Sequence, residues 1–231
     1  MDVIAENVRR VRERMAAAAL SAGRKPEEIR LVAASKMNDA RRVRAAIAAG
    51  VDICGENRVQ ELLEKKKLNA YDGCAVHMIG HLQKNKVRQV VGAVDMIESA
   101  DSLELLTLID RQAEKLGRIQ PVLIEVNIGG EASKSGVAPE ELPALLEQTA
   151  SLSHLQVRGL MTIPPVEEKT GGNRAYFARM QQLFVDIRSK KYDNVLMAEL
   201  SMGMSGDFED AVREGATLVR VGSAIFGPRH Y

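Results

Sequence analysis

The chain has 231 residues, of which 45% are hydrophobic and 27% are charged, and its formal net charge is +1. This length allows one or two domains, and the composition is that of an ordinary globular protein. The near-neutral charge argues against a nucleic-acid-binding surface, and an aromatic content of 3% without tryptophan argues against a base-stacking platform.

Cysteine content and hydropathy suggest where the protein resides. Cys54 and Cys74 are the two cysteines, and neither belongs to a CxxC pair, so we expect no disulfide framework and a reducing, cytoplasmic setting. No apolar run reaches the roughly 18 residues that a membrane span needs. The N-terminus is charged throughout, which is not typical of a signal peptide.

The first 20 residues predict an amphipathic helix, and an alternating pattern follows it. Ile4, Val8, Val11 and Met15 form one apolar stripe of this helix, and Gly23 marks its end. After it, short runs rich in Val, Ile and Leu alternate with charged segments of helical period. The eight runs cover 31–35, 51–54, 75–80, 94–99, 121–128, 155–163, 194–200 and 217–222.

Repeated strand–helix units predict parallel strands with right-handed crossovers, and eight such strands close into a barrel. An open doubly wound sheet is the alternative, but it would normally show G-x-G-x-x-G after its first strand, where this chain has SKMNDA. We therefore predict an α/β fold with a single (β/α)₈ TIM-type barrel domain over residues 1–231 and an extra N-terminal helix. The longest loop candidate, 164–173, follows the sixth strand at the C-terminal face.

Lys36 ends the first strand, LVAASK, where the C-terminal mouth of a barrel carries its active site. Alternation places Val32, Ala34 and Lys36 on one face. Burial disfavours the charged form of an amine, and a neutral amine is a nucleophile that forms Schiff bases with carbonyls. The alternative is a lysine that extends to solvent or pairs with an acid such as Glu56.

The segments after the seventh and eighth strands, LSMGMSGDFEDAV and VRVGSAIFG, resemble the places where barrels bind phosphate. Ser201, Ser205, Gly222 and Ser223 offer hydroxyls, close backbone approach and free N–H groups. The alternative is two ordinary capped turns. Together with Lys36, the two loops indicate a phosphorylated ligand that has a carbonyl.

Arg220 shares a face with Leu218 and should point into the barrel, where a buried guanidinium needs an acceptor. An unprotonated pyridine nitrogen or a carboxylate would serve, and an internal ion pair with Glu199 or Glu125 is the alternative.

His77 and His81 have the i, i+4 spacing of metal ligands, but one lies in a strand and the other in a loop, so we expect no metal site. His77 and Asn57 are expected at the mouth beside a ligand. The basic run at 64–67 is expected on a solvated helix face.

These residues together closely resemble the pyridoxal phosphate (PLP) homeostasis protein family, over residues 4–228. The motifs, in family order, are AASK, GENRVQE, HMIGHLQKNK, IEVNI, SKSG, GLMTI and LSMGMSGDFEDAVREGATLVRVGSAIFG. The resemblance implies the fold of the N-terminal barrel of alanine racemase. It also implies that Lys36 holds PLP as a Schiff base and that Arg220 faces the pyridine nitrogen.

The resemblance further implies roles for the other candidates. Ser201, Ser205, Gly222 and Ser223 match the phosphate cradle, Asn57 and His77 line the ring, and Lys134 in SKSG matches a lysine near the mouth that holds or relays cofactor. The sequence departs from the family pattern in KMND, which lacks a proline after the lysine, and at Val76, Cys54 and Arg58, where aromatic residues are common.

The function implied is buffering of PLP and its delivery to apo-enzymes by a monomeric carrier that is not an enzyme. Alanine racemases use a second base, a tyrosine from another domain. No such domain is expected here, and Tyr71, Tyr176, Tyr192 and Tyr231 are not in a matching context. An amino-acid racemase of this fold is the alternative, and a Schiff-base lyase acting on a sugar phosphate is a third hypothesis.

Overall fold

The computed structural model describes residues 3–131, 134–165 and 172–228. Within them, eight parallel strands form a closed barrel in sequence order, and the last strand pairs with the first. Each of the eight runs predicted as strands overlaps one of them, so the predicted α/β barrel is confirmed. The strands are β1 (Arg30–Ala34), β2 (Ile53–Glu56), β3 (Ala75–Met78), β4 (Met96–Ala100), β5 (Gln120–Glu125), β6 (Leu155–Met161), β7 (Val195–Ser201) and β8 (Leu218–Val221).

Helices surround the barrel. Those in the described part of the chain are α1 (Val3–Ser21), α2 (Ala40–Ala48), α3 (Val59–Lys67), α4 (Val87–Val90), α5 (Leu103–Lys115), α6 (Leu142–Thr149), α7 (Arg174–Ser189), α8 (Phe208–Arg213) and α9 (Ser223–Phe226). Side-chain caps start two of them, because Asp39 accepts a hydrogen bond from Arg42 N in α2 and Ser102 accepts one from Leu105 N in α5. None of the described helices is long and apolar enough to cross a membrane.

The N-terminal helix α1 packs against the last two helices of the described chain. Its predicted stripe is buried and faces α8 and α9. Asn7 Nδ2 donates to the Ile225 carbonyl at 2.9 Å, and Arg14 pairs with Glu209 at 2.8 Å. This helix therefore closes the side of the barrel formed by the first and last strands.

The barrel interior has an apolar layer below a polar one. The apolar layer contains Val32, Ile53, Ile79, Met96, Leu123, Met161 and Leu218. Because alternate strand residues point to the same face, the residues two positions after Ala75, Met96 and Leu218 also point inward. These residues are His77, Glu98 and Arg220, and all three are buried. They form the floor of the C-terminal mouth.

Candidate functional site

A continuous chain of hydrogen bonds crosses the inside of the barrel. His77 Nδ1 lies 2.6 Å from Glu98 Oε1, and Ser201 Oγ donates to Glu98 Oε2 at 2.6 Å. Arg220 donates from Nη1 to Ser201 Oγ at 2.6 Å and from Nη2 to the Thr162 carbonyl at 2.8 Å. The chain therefore links β3, β4, β7, β8 and the end of β6 in one rigid arrangement.

Glu98 remains ionised in this buried position. Burial opposes its ionisation, but the hydrogen bond and charge of His77, the charge of Arg220 and the hydroxyl of Ser201 outweigh it and hold the pKa of Glu98 below its ordinary range. A buried carboxylate with these partners fixes the orientation of the histidine and, through the serine, that of the arginine.

Arg220 lies inside the barrel, as the sequence predicts, but its partners differ from those considered there. Burial lowers the pKa of Arg220, and the charges of Glu98 and Glu125 oppose that shift. The alternative of an ion pair between Arg220 and Glu199 is wrong, because Glu199 Oε1 instead accepts a hydrogen bond from Arg30 Nη2 at 2.5 Å. Arg220 is instead held by Ser201 and Thr162, and these bonds use two of the five donors of the guanidinium.

Glu125 is the second buried carboxyl group that acts on this arginine. Burial raises the pKa of Glu125, the charge of Asp101 raises it further, and the charges of Arg220 and His81 partly compensate. Glu98 and Glu125 thus have opposite pKa shifts within one barrel interior. The charge of Arg220 is matched mainly by Glu98.

Lys36 lies in the turn that follows β1 and is half-buried. It lines a cavity of 390 Å³ together with residues of its own turn and with Phe226 and Gly227 at the end of α9. A volume of this size falls in the range of small-molecule sites. The lysine therefore borders a cavity beside the end of α9, and the other predicted site residues are not among those that line it.

The strand register places Lys36 beside the loop after β8. Val32 and Arg220 are Cα partners, and so are Ala33 and Val221. Gly222 continues this register, since a Cβ built on it would lie 3.4 Å from the Ala34 carbonyl oxygen. The amine-bearing turn and the N-terminus of α9 are therefore neighbours at the same mouth.

Ser205 lies at that N-terminus. Its Oγ accepts hydrogen bonds from Gly222 N at 3.1 Å and from Ala224 N at 3.3 Å, which leaves the hydroxyl proton for another acceptor. Gly203 holds the loop that carries Ser205 against β8. Its φ is +88°, and its carbonyl accepts a hydrogen bond from Arg220 N at 3.0 Å. Ser205, Gly222 and Ser223 thus come together at one helix end. The hydroxyl of Ser201, predicted with them, is bonded inside the barrel to Glu98 and Arg220.

Asn57 lies just past β2, as predicted, and His77 lies on the neighbouring strand β3. Asn57 follows β2 and packs against Gly80, where a Cβ would lie 2.5 Å from the Asn57 carbonyl oxygen. Only glycine fits so close to a backbone. Asn57 Oδ1 is buried and has no hydrogen-bond partner among the described residues. A buried acceptor in this state is suited to a ligand donor.

Lys134 and His81 lie farther out. Lys134 Nζ donates to the Pro164 carbonyl at 2.9 Å and pairs with Glu131 at 2.6 Å. His81 is exposed and lies 3.3 Å from Ser135 Oγ. The described residues contain no group of three or more His, Cys, Asp or Glu side chains that could hold a metal ion. Residues 166–171 of the predicted loop, and Tyr231, lie outside the described residues.

The expected solvated helix face at 64–67 is confirmed for Glu64, Lys66 and Lys67, which are exposed, and is wrong for Lys65. Lys65, in the basic run at 64–67, is buried, with only 8% of its side chain exposed. Its Nζ donates to Glu56 Oε1 at 2.7 Å, and the same oxygen accepts from Ser35 Oγ at 2.6 Å and from Tyr71 OH at 2.9 Å. The acid considered as a partner of Lys36 therefore belongs to a cluster outside the barrel wall.

Sequence reasoning also missed Glu98, the central carboxylate of the buried chain. It lies inside an apolar strand, two positions after Met96, so alternation alone would place it in the barrel. A charged residue in that position is rare unless it is paired. This is the same signal that singled out Arg220.

Comparisons with known proteins identify the family of this chain. The family model described as "Alanine racemase, N-terminal domain" matches residues 1–230. The pyridoxal phosphate homeostasis protein of Aquifex aeolicus is 43% identical over 226 residues, covering 98% of both chains, and that of Pseudomonas aeruginosa is 42% identical over 231 residues, covering 100% of this chain and 98% of the relative.

A solved structure extends the comparison. PipY of Synechococcus elongatus, determined with PLP bound, has a TM-score of 0.81 and 37% identity, over 94% of this chain and 100% of PipY. Sequence relatives of equal length and this structure confirm the resemblance seen in the motifs. The chain belongs to the pyridoxal phosphate homeostasis protein family, within the alanine racemase N-terminal domain family.

Proposed function

We propose that this protein binds PLP reversibly, as a Schiff base on Lys36, and acts in intracellular PLP homeostasis by buffering PLP and delivering it to apo-enzymes. The observation that carries the proposal is the pairing of β1 with β8, which brings an amine-bearing turn next to a helix end suited to phosphate. The names of the relatives and the PLP bound to PipY support it.

The residues present fit the cofactor. Bound PLP supplies an aldehyde that reacts with amines. Its phosphate would lie against the backbone at Gly222, whose own N–H donates to Ser205 Oγ, and would be held by the remaining proton of the Ser205 hydroxyl and by the Ser223 N–H, with Ser201 supporting Arg220 from below. In this proposal Asn57 and His77 contact the ring.

Arg220 is proposed to donate to the pyridine nitrogen. A guanidinium does not give up its proton in proteins, so the ring nitrogen would remain unprotonated and the ring would be a weaker electron sink. The bonds from Ser201 and the Thr162 carbonyl hold the guanidinium plane in place. Alanine racemases share this arrangement, so the proposal of a carrier depends on the second base that they use and not on the arginine.

Borohydride trapping tests the proposal. The protein is incubated with PLP, reduced and digested, and mass spectrometry should find a pyridoxyl group on Lys36 and none at that peptide in Lys36→Ala. A second label on Lys134 would assign that lysine as a holding or relay site. Wild-type protein that shows neither a yellow colour nor a pyridoxyl group would refute the proposal. A Schiff-base lyase that acts on a sugar phosphate would then be favoured.

Delivery is tested separately. Apo-enzyme is mixed with the loaded protein in the presence of a trap that removes free PLP. Reconstitution that is faster than from an equal amount of free PLP indicates direct transfer. Reconstitution that the trap abolishes would limit the function to storage.

We propose that the protein is not an enzyme, and the racemase alternative makes a distinct prediction. A racemase of this fold would exchange the α-hydrogen of an amino acid in deuterated water. We expect no exchange, by proton NMR, for any of the common amino acids incubated with the loaded protein. Exchange that disappears in Lys36→Ala would favour the racemase.

We further propose that residues 1–231 form one PLP-binding domain and that the protein is a cytoplasmic monomer. The barrel takes strands from residue 30 to residue 221, and α1 packs beside α9 at the other end of the chain. Size-exclusion chromatography with light scattering should give a mass close to 25.3 kDa. A mass of twice this value would refute the monomer.

A further inference from the structure

Behind the Lys36 turn, a buried polar cluster lies between the barrel wall and helix α3. Alternation turns Ser35 and Glu56 outward, because Ala34 and Ile53 belong to the inner face. Glu56 is fully buried, and its Oε1 accepts from Ser35, Lys65 and Tyr71. The proposed binding of PLP does not use this cluster.

The cluster holds the backbone on both sides of Lys36. On one side, Lys65 Nζ donates to the Ser35 carbonyl at 2.8 Å. On the other, the Met37 N–H donates to Glu61 Oε2 at 2.6 Å. Lys65 and Glu61 also face each other, at 3.5 Å between Nζ and Oε2. One helix therefore fixes the residue before the lysine and the residue after it.

The turn needs this support. Met37 has a φ of +63°, a left-handed conformation that residues other than glycine rarely adopt. The turn closes with a hydrogen bond from Asn38 N to the Ser35 carbonyl at 3.1 Å. Conformations of this kind persist when surrounding contacts over-determine them, and they cluster at functional sites.

A buried ion pair is weak evidence for stability, because desolvation of the two charges offsets their attraction. Lys65 and Glu56 form such a pair, with 8% and 0% of their side chains exposed. Its contribution is geometric, since Lys65 is the group that joins α3 to the Ser35 carbonyl.

We propose that Lys65 and Glu56 are positioning residues that set the location and reactivity of the Lys36 amine from outside the barrel. This inference rests on the proposed role of Lys36. It assigns a specific task to a lysine whose sequence context, a run of three lysines, indicates only a solvated surface.

The first test measures Lys36 in the PLP-free protein. The rate constant of its acetylation by acetic anhydride is followed by mass spectrometry over a range of pH in wild type, Lys65→Met and Glu56→Gln. In both variants we expect the acetylation rate constant of Lys36 to differ at least threefold from that of wild type. The pH–rate profile should also be shifted along the pH axis. Lys67→Met is the matched control, because Lys67 is exposed on the same helix, and it should react as wild type does.

A general loss of stability is controlled by Leu146→Ala, a buried position on α6, which connects β5 to β6 on the opposite side of the barrel from β1. Thermal melts establish that each variant is folded at the assay temperature. If Lys65→Met leaves the Lys36 profile unchanged, or if Leu146→Ala changes it equally, the inference is overturned. In Lys65→Met/Glu56→Gln the change should not exceed that of the larger single variant, because the two residues act as one unit.

The second test uses PLP-loaded protein that has not been reduced with borohydride. It measures the rate at which PLP is released in the presence of a carbonyl trap. Lys65→Met should release PLP about tenfold faster than Lys67→Met, and equal rates would overturn the inference. The two proposals fail in different ways. Wild-type protein without PLP on Lys36, together with an altered acetylation profile in Lys65→Met, would refute PLP binding and keep the positioning role.

Discussion

Glu98 bridges His77 and Ser201 inside the barrel, with each of its two oxygens 2.6 Å from one of these partners. Ser201 in turn accepts from Arg220, so one carboxylate determines the orientation of three side chains. The carboxylate compensates the positive charge of the arginine inside the barrel, where both side chains are buried.

Removing this charge should destabilise the protein. In Glu98→Gln, Arg220 loses its main buried counter-charge, and one end of the amide presents donors where an acceptor is needed. We expect the free energy of unfolding to fall by about 3 kcal/mol, as for other broken buried pairs, in urea denaturation at pH 7. Glu104→Gln, an exposed control on α5, should change it by less than about 0.5 kcal/mol. Equal effects of the two substitutions would contradict this assignment.

The lowered pKa of Glu98 also predicts an acid-dependent loss of stability. A carboxyl group whose pKa is lower in the folded state contributes stability above its ordinary value of 4.5, and this contribution is lost as the pH falls through the folded pKa. Between pH 5 and pH 3, wild type should therefore lose more stability than Glu98→Gln. Urea midpoints measured across this range check the prediction, and parallel curves would count against it.

The pKa of Glu125 is shifted in the opposite direction from that of Glu98, so its effect on stability has the opposite dependence on pH. Its pKa is raised in the folded state, so its contribution is complete below the ordinary value of 4.5 and is lost as the pH rises through the folded pKa. Glu125→Gln cannot ionise, and at pH 7 it should be more stable than wild type, by on the order of 1 kcal/mol. The difference should vanish near pH 4 in urea denaturation. A difference that is independent of pH would show that packing, and not ionisation, is its cause.

The barrel could be predicted because buried parallel strands read as continuous apolar runs, and their number determined closure. Lys36 and Arg220 could be found as charges within such runs. The same reasoning would have reached Glu98, two positions after Met96. In these cases the information lies within a single strand and its alternation.

The cluster behind Lys36 could not be predicted in this way. The basic run at 64–67 has the composition of a solvated helix face, and the burial of Lys65 depends on Glu56 and Tyr71, which other elements supply. The helix α9 has four residues, about one turn, so it has no period to detect. Both features arise from tertiary contacts and not from local sequence.

Ser205 has two tasks that substitution can separate. Its Oγ accepts from Gly222 N and Ala224 N at the start of α9, and its proton is proposed to reach the phosphate. Ser205→Ala should lower stability by about 1 kcal/mol, as for a lost cap, and should weaken PLP binding about tenfold, as expected for one lost charge-assisted hydrogen bond. Affinity for pyridoxal, which has no phosphate, should be unaffected. Equal weakening for both ligands would place the effect outside the phosphate site.

Gly203 allows the backbone conformation of the loop that carries Ser205. Its φ is +88°, and a Cβ would lie 2.5 Å from Ala211 Cβ and 3.0 Å from Phe208 Cα, so no side chain can be added without moving α8. Its carbonyl also accepts from Arg220 N. Gly203→Ala should therefore lower the free energy of unfolding by about 2 kcal/mol, through overpacking and backbone strain together, and should weaken PLP binding more than Ser205→Ala does. Gly206→Ala is the matched control, since a Cβ there meets no atom within 4 Å and its φ is not left-handed. It should leave both quantities close to wild type in urea denaturation and PLP titration, and a Gly203→Ala variant with wild-type values would show that the loop can form without this glycine.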